Sequence, residues 1–138
     1  MCFTPQDWVG KREIGETSRL WWNWEVDRVA YPDWEEMVAE LAAQDIRVMA
    51  YVNPHLTDVT DKPGHRRNLF REARDRGFLV RRCDGSEAQL GSFGLNAGMV
   101  DLSNPEAYAW MKEVVRCEAP RRQFSQPPPS DARYALGV

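Results

Sequence analysis

The sequence predicts part of an α/β fold built on a parallel sheet. Three observations lead to this prediction. Apolar runs alternate with helix-like periodic segments, one run is apolar almost throughout, and residues that end helices stand between them. A continuous apolar run is typical of a parallel strand covered on both faces, and the alternation favours right-handed crossovers. With 138 residues the chain is too short for a complete (β/α)₈ barrel, which needs roughly 200 residues or more.

The first half of the chain predicts a strand, a helix and a second strand. Residues 19–26, "RLWWNWEV", indicate a buried strand or a strand end that leads into a loop. Asp33 and Glu36 have the spacing of a capping box, and apolar residues at helical spacing follow, so we expect a helix over residues 33–44. The parallel strand is expected over residues 46–52.

The next segment predicts a loop, a helix and a further strand. Residues 56–64 are polar and indicate a long loop beyond the carboxyl end of the second strand. A helix is expected over residues 65–76, closed by Gly77 in a left-handed cap. The apolar residues directly after Gly77 indicate a strand that runs into a turn.

The last predicted elements lead to a change in composition. We expect a hairpin or irregular loop over residues 89–98, a short strand over residues 99–102, and a helix that begins at a Ser103/Asn104 cap and ends near residue 116. Residues 117–138 are rich in proline and show no apolar periodicity. The predicted organisation is therefore a domain over residues 1–116 and a disordered or aberrant tail.

Composition excludes several classes of partner. The net charge is −3 with acidic and basic residues interspersed, which predicts neither a nucleic acid nor a membrane as partner. No stretch approaches the ~18 apolar residues of a membrane span, and we expect a cytoplasmic protein. Cys2, Cys83 and Cys117 are too widely spaced for a disulfide framework or zinc site, so we interpret them as reduced thiols. The sequence predicts no cofactor and no metal, and it carries no signal for the oligomeric state.

Tryptophan is concentrated near the amino terminus. Trp8, Trp21, Trp22 and Trp24 are four of the six tryptophans. An indole offers a large apolar face and one N–H donor, which suits the C–H faces of a sugar ring. Core packing is the alternative for each of them, and the cluster as a whole favours a binding surface.

Residues 6–27, "QDWVGKREIGETSRLWWNWEVD", resemble the sulfoquinovosidases of glycoside hydrolase family 31, and the resemblance extends over about residues 1–116. It implies a partial (β/α)₈ TIM barrel from a retaining α-glycosidase that acts on sulfoquinovosyl glycosides. By position, Arg19 and Trp22 match the pair that binds the sulfonate, and Gln6 matches a residue that binds ring hydroxyls. A sulfonate is a permanent anion, so a guanidinium and a directional indole donor suit it.

The resemblance does not assign catalytic residues here. Retaining glycosidases use two carboxyl groups about 5 to 5.5 Å apart. The resemblance implies a nucleophile on the strand after the last predicted helix, where "CEAPRRQFSQPPPSDARYALGV" has no matching pattern. Asp7, Glu25, Asp27 and Asp101 lie near predicted strand ends, but ion pairing is an alternative for Glu25 and Asp27, and a structural cap or ion pair is an alternative for Asp101. We therefore assign no catalytic residue and expect a fragment that is inactive alone.

Other interpretations remain open. His55 and His65 lack a close second ligand, and we interpret them as solvated loop histidines. The chain could be a non-catalytic sugar-binding or interaction module derived from the barrel. It could also be part of a neutral α-glucosidase of the same family, with Arg19 on the surface. The preferred partner is a small-molecule sulfosugar glycoside.

Overall fold

The computed structural model describes residues 1–92 and 95–118. Within these residues the chain forms seven strands and three helices. In chain order they are β1 (Cys2–Phe3), β2 (Lys11–Ile14), β3 (Thr17–Leu20), α1 (Trp34–Ala43), β4 (Arg47–Val48), β5 (His55–Thr57), α2 (Leu69–Asp75), β6 (Gln89–Ser92), β7 (Leu95–Met99) and α3 (Pro105–Glu118).

The strands form three small sheets in the described residues. β1 and β4 are parallel, with Cys2 opposite Arg47, and α1 lies in the connection between them. β2 and β3 form an antiparallel hairpin, and β7 lies between β5 and β6 in an antiparallel sheet. The expected run of parallel strands is therefore wrong beyond the β1–β4 pair, because short hairpins and returning loops reverse the other strands. The hairpin expected over residues 89–98 is confirmed by the β6–β7 pairing.

Two predicted strands are shorter than their apolar runs. The strand in residues 19–26 ends at Leu20, so the strand-end interpretation is correct and residues 21–26 are irregular. The run over residues 46–52 is reduced to Arg47–Val48. β4 has one strand partner in the described residues, and Met49 and Tyr51 are more than half exposed instead of covered.

The later strands are also displaced from their predictions. β7 ends at Met99, and Val100 continues only as an isolated bridge to Leu79, so the strand expected over residues 99–102 begins and ends earlier. After Gly77 the chain forms bridges rather than a regular strand, including one between Arg81 and Glu87.

The first two helices follow their predictions with changes at the ends. α1 lies within the expected range, but the Asp33 side chain makes no capping hydrogen bond, so the capping box is wrong. α2 begins at Leu69, later than expected, because Asn68 caps it by accepting a hydrogen bond from the Arg71 N–H at 3.2 Å. Gly77 has φ +68°, which confirms the left-handed cap.

The third helix confirms its predicted cap and is longer than expected. Asn104 Oδ1 accepts a hydrogen bond from the Glu106 N–H at 2.9 Å. α3 continues through Glu118, so the helix extends beyond its expected end near residue 116. The remainder of the predicted tail, residues 119–138, lies outside the described residues. None of the helices in the described part of the chain is long and apolar enough to span a membrane.

A cluster of tryptophans forms much of the core. The Trp8 ring lies 6.3 Å from the rings of both Trp24 and Trp34, and all three side chains are buried. Trp21 is also buried, whereas Trp22 is partly exposed. Core packing is therefore the correct interpretation for most of the amino-terminal tryptophans, and Trp22 keeps an accessible surface.

Candidate sugar-binding site

The residues predicted to bind substrate lie on two neighbouring segments and one hairpin. Gln6 is exposed and begins the site turn, which we define as residues 6–10. Trp22 belongs to the aromatic segment, which we define as residues 21–27. Arg19 lies on β3, directly before that segment, and is partly buried like Trp22.

Backbone hydrogen bonds bring the site turn against the aromatic segment. The Trp21 N–H donates to the Gly10 carbonyl at 3.1 Å, and the Asp27 N–H donates to the Trp8 carbonyl at 2.8 Å. The two ends of the aromatic segment are thus fixed to the same turn. This arrangement brings the segments that carry Gln6 and Trp22 together.

Gly10 allows that close approach. Its φ is +74°, which is unfavourable for a residue with a side chain. A Cβ at this position would lie 1.9 Å from Asp27 Oδ2, well inside van der Waals contact. The glycine is therefore needed both for the shape of the site turn and for its contact with the aromatic segment.

The middle of the aromatic segment is held against β5. Trp24 has φ 47°, an uncommon conformation for a bulky residue, and its Nε1–H donates to the His55 carbonyl at 3.1 Å. The Thr57 N–H donates to the Trp22 carbonyl at 3.0 Å. Because β5 forms hydrogen bonds with both Trp22 and Trp24, the backbone at Trp22 has a fixed position.

His55 packs against the predicted sulfonate-binding tryptophan. The rings of Trp22 and His55 lie 5.3 Å apart at 40°. His55 begins β5 and is partly buried, so its interpretation as a solvated loop histidine is wrong. His65 is also engaged, since its Nδ1 lies 2.7 Å from the Lys62 carbonyl oxygen.

Arg19 shares its hairpin face with a second arginine. The β2–β3 register places Arg12 opposite Arg19, and opposed residues of an antiparallel pair direct their side chains to one face. The Arg12 guanidinium lies 5.0 Å from the centre of the Trp21 ring, and Arg19 Nη1 donates to the Ser18 carbonyl at 3.1 Å. Two guanidinium groups on one face favour the binding of an anion at that face. Arg12 was missed because only the strand pairing places it beside Arg19.

Asp7 accepts a hydrogen bond and forms an ion pair. The Tyr31 hydroxyl donates to Asp7 Oδ1 at 2.6 Å, and Lys11 Nζ lies 2.9 Å from Oδ2. The Tyr31 hydrogen bond, followed by the Lys11 contact, lowers the pKa of Asp7. The hydrogen bond to Asp7, together with burial, raises the pKa of Tyr31 to about 12. A carboxyl group with a lowered pKa is a poor proton donor near neutral pH, so Asp7 is unsuited to act as a general acid.

The remaining candidate carboxylates make structural contacts. Glu25 is buried and accepts hydrogen bonds from the Arg66 N–H and guanidinium. Asp27 Oδ2 lies 3.6 Å from Lys62 Nζ. Asp101 accepts a hydrogen bond from the Ser103 N–H at 3.0 Å. Ion pairing is thereby confirmed for Glu25 and Asp27, and a turn or capping role for Asp101.

The described residues contain no group of three or more histidine, cysteine or acidic side chains that could hold a metal ion. Cys2, Cys83 and Cys117 are exposed free thiols. The side chains at the candidate site include guanidinium, indole, amide and imidazole groups, which are suited to hydrogen bonds with a polar, anionic ligand.

Comparison with known proteins places these residues in a family. The family model "Glycosyl hydrolases family 31 TIM-barrel domain" matches residues 6–121. A sulfoquinovosidase from Agrobacterium fabrum is 36% identical over 110 residues, which cover 80% of this chain and 16% of that protein. A sulfoquinovosidase from Escherichia coli is 31% identical over 142 residues, covering 96% of this chain and 20% of that protein.

A solved structure gives the same relationship. A family 31 sulfoquinovosidase from E. rectale, in complex with an aza-sugar inhibitor, superposes with a TM-score of 0.69 at 34% identity. The match covers 85% of this chain and 16% of that one. The structural neighbours support a partial barrel fold, and the chain spans between about a sixth and a fifth of the length of these relatives.

Proposed function

The chain belongs to the TIM-barrel family of glycoside hydrolase family 31, and from that membership we propose that it recognises the sulfonated sugar of α-sulfoquinovosyl glycosides. Arg19 and Trp22 bind the sulfonate in this proposal, and Gln6 binds ring hydroxyls. The observation that carries it is the position of the aromatic segment with Trp22. This segment is hydrogen-bonded to the site turn with Gln6, and it directly follows β3, the strand with Arg19.

The chemistry of the three side chains supports this assignment. A guanidinium remains charged at any physiological pH and offers several N–H donors in one plane, which match the oxygens of a sulfonate. The Trp22 indole adds one directional donor and an apolar face. Arg12, on the same hairpin face as Arg19, increases the positive potential there.

We assign hydrolysis to an enzyme of which this chain supplies the sugar-recognition part. A retaining mechanism needs a nucleophilic carboxylate and an acid/base carboxyl group about 5 to 5.5 Å apart. In the proposed mechanism the nucleophile forms a covalent glycosyl intermediate, which water then hydrolyses. Asp7, Glu25, Asp27 and Asp101 are each engaged in contacts within the described residues. We propose that the catalytic pair comes from outside residues 1–118.

Calorimetric titration of the 138-residue chain with sulfoquinovose and with glucose tests the proposal. We expect tighter binding of sulfoquinovose, and a loss of about 10- to 150-fold in affinity in Arg19→Gln, since a hydrogen bond to a charged group contributes about 1.5–3 kcal/mol. Arg82→Gln is the matched control, because it removes the same charge from an exposed residue outside the site turn, the aromatic segment and the β2–β3 hairpin. Its affinity should equal that of the wild type.

The same titration separates the alternatives. Equal affinity for glucose and sulfoquinovose, with no effect of Arg19→Gln, would contradict sulfonate recognition and favour a neutral α-glucosidase. A non-catalytic sugar-binding module would be favoured by a different result. In that case the chain binds in a sulfonate-dependent way, but a longer protein that contains the chain does not hydrolyse the glycoside.

A further inference from the structure

A buried lysine joins the two segments of the candidate site. Lys62 is 5% exposed, and its Nζ donates to the Val9 carbonyl at 2.8 Å and to Asn23 Oδ1 at 3.4 Å. Its Nζ also lies 3.6 Å from Asp27 Oδ2. We call Lys62 and these three acceptors the Lys62 cluster. A lysine ammonium has three N–H donors, and here three acceptor oxygens lie within 3.6 Å of Nζ.

The Lys62 cluster bridges segments that are distant in sequence. Val9 belongs to the site turn that begins at Gln6, and Asn23 directly follows Trp22 in the aromatic segment. Lys62 is separated from them by 53 and 39 positions. One ammonium group, from a third part of the chain, thus forms hydrogen bonds with both the site turn and the aromatic segment.

Lys62 is itself held in place. The Lys62 N–H donates to the Val59 carbonyl at 2.9 Å, and His65 Nδ1 lies 2.7 Å from the Lys62 carbonyl oxygen. Arg66, farther along the same loop, is paired with the buried Glu25 of the aromatic segment. The loop that carries Lys62 is therefore attached to the aromatic segment at two points.

The Asn23 amide depends on this ammonium for its orientation. Asn23 is 1% exposed, and within the described residues its Nδ2 is a buried donor without a hydrogen-bond partner. Its Oδ1 is held by Lys62. Removal of the ammonium would leave both ends of the amide without a partner among the residues that the structure describes, at a position adjacent to Trp22 in the chain.

The charge at this position is costly to bury. Desolvation lowers the pKa of Lys62, and the nearby charges of Asp27 and Glu25 oppose that shift. An apolar side chain of the same length would fill the same volume without this cost. The specific effect of the ammonium is to fix the positions of three acceptors.

We infer that Lys62 is a positioning residue for sulfosugar recognition, which fixes the aromatic segment with Trp22 against the turn that carries Gln6. The inference rests on the proposed function, since Trp22 and Gln6 must contact the sugar. Lys62 itself need not touch the ligand, because its Nζ is directed toward Val9, Asn23 and Asp27.

The test is sulfoquinovose binding by Lys62→Met, which keeps the length of the side chain and removes the ammonium. We expect at least a tenfold loss of affinity under conditions where circular dichroism shows the variant to be folded. Val114→Ala is the control for a general loss of stability, because it creates a cavity at a buried position of α3 that makes no hydrogen bond to the Lys62 cluster. It should bind within threefold of the wild type.

A second readout reports on Trp22 directly. In ¹H–¹⁵N spectra the indole Nε1–H resonance of Trp22, assigned by its loss in Trp22→Phe, should move in Lys62→Met and remain unchanged in Val114→Ala. Should Lys62→Met fail to fold, Asn23→Ala removes the acceptor nearest Trp22 and leaves the Lys62 contacts with Val9 and Asp27. The same loss of affinity is expected for it.

The outcomes separate the inference from the proposed function. Affinity of folded Lys62→Met within threefold of the wild type, or an equal loss in Val114→Ala, would overturn the positioning role. If Arg19→Gln still weakens sulfoquinovose binding by the expected factor in the same series, the proposed function stands without the positioning role of Lys62. A wild-type chain that does not prefer sulfoquinovose to glucose would overturn both.

Discussion

Substitution of Gly10 by alanine should destabilise the chain more than the same substitution at any open glycine. Gly10 has φ +74°, and a Cβ there would lie 1.9 Å from Asp27 Oδ2 and 2.7 Å from Asp27 Cγ. The left-handed conformation costs a non-glycine residue about 1–2 kcal/mol. Displacement of the packed Asp27 side chain adds about 1–3 kcal/mol. The expected total is about 2–5 kcal/mol, a large part of an ordinary folding free energy.

Gly15→Ala isolates the effect of the contact from the effect of the backbone. Gly15 has φ +61°, but apart from its two chain neighbours no atom of residues 1–92 and 95–118 lies within 4 Å of the position of its Cβ. This control should therefore lose only the backbone contribution of about 1–2 kcal/mol. Urea unfolding monitored by tryptophan fluorescence gives both free energies of unfolding. The difference between the two variants should be about 1–3 kcal/mol.

A double variant checks the assignment to Asp27. Asp27→Ala removes the carboxylate that Gly10→Ala would strike, so the combined variant should lose less stability than the sum of the single variants. Equal unfolding free energies for Gly10→Ala and Gly15→Ala, together with additive effects of Gly10→Ala and Asp27→Ala, would refute the reasoning.

Other contacts give further predictions. Arg28 pairs with Glu35 and lowers the pKa of Glu35 from 4.5 to about 2. The small stability that this exposed pair contributes is therefore present above about pH 4.5 and lost as the pH falls toward 2. In Glu35→Gln the free energy of unfolding in urea should depend less on pH within this range. Asn104→Ala should cost about 0.5–2 kcal/mol through loss of the α3 cap, whereas an unchanged unfolding midpoint would exclude the cap. The chain alone should release no chromophore from a chromogenic sulfoquinovoside, and measurable turnover would contradict the assignment of the catalytic pair to other residues.

The helices were predictable because their signals are local. Asn104 and Gly77 act on backbone groups within a few positions of themselves, so the sequence alone indicates where α3 begins and where α2 ends. The Asp33 cap failed although its spacing was correct. A capping hydrogen bond also needs a suitable side-chain orientation, which spacing does not determine.

The strands were less predictable because a strand needs a partner. The apolar run over residues 46–52 forms only Arg47–Val48, since β4 pairs with the two-residue strand β1. Residues 21–26 are apolar as well, but they are held by loop and side-chain hydrogen bonds instead of a strand ladder. Apolar composition predicts burial, and it does not tell which backbone groups will pair.

The sequence by itself determined the family and the approximate positions of the helices, because motifs and helix signals are properties of neighbouring residues, and it predicted which side chains would bind a sulfonated sugar. Only the tertiary structure decided that Trp8 and Trp24 form the core while Trp22 remains accessible, and that Lys62 connects the turn of Gln6 to the segment of Trp22. The physical reason is that a lysine in a polar loop has no preferred partner in the sequence. Its role depends on which distant carbonyl, amide and carboxylate groups the packed chain places around its ammonium.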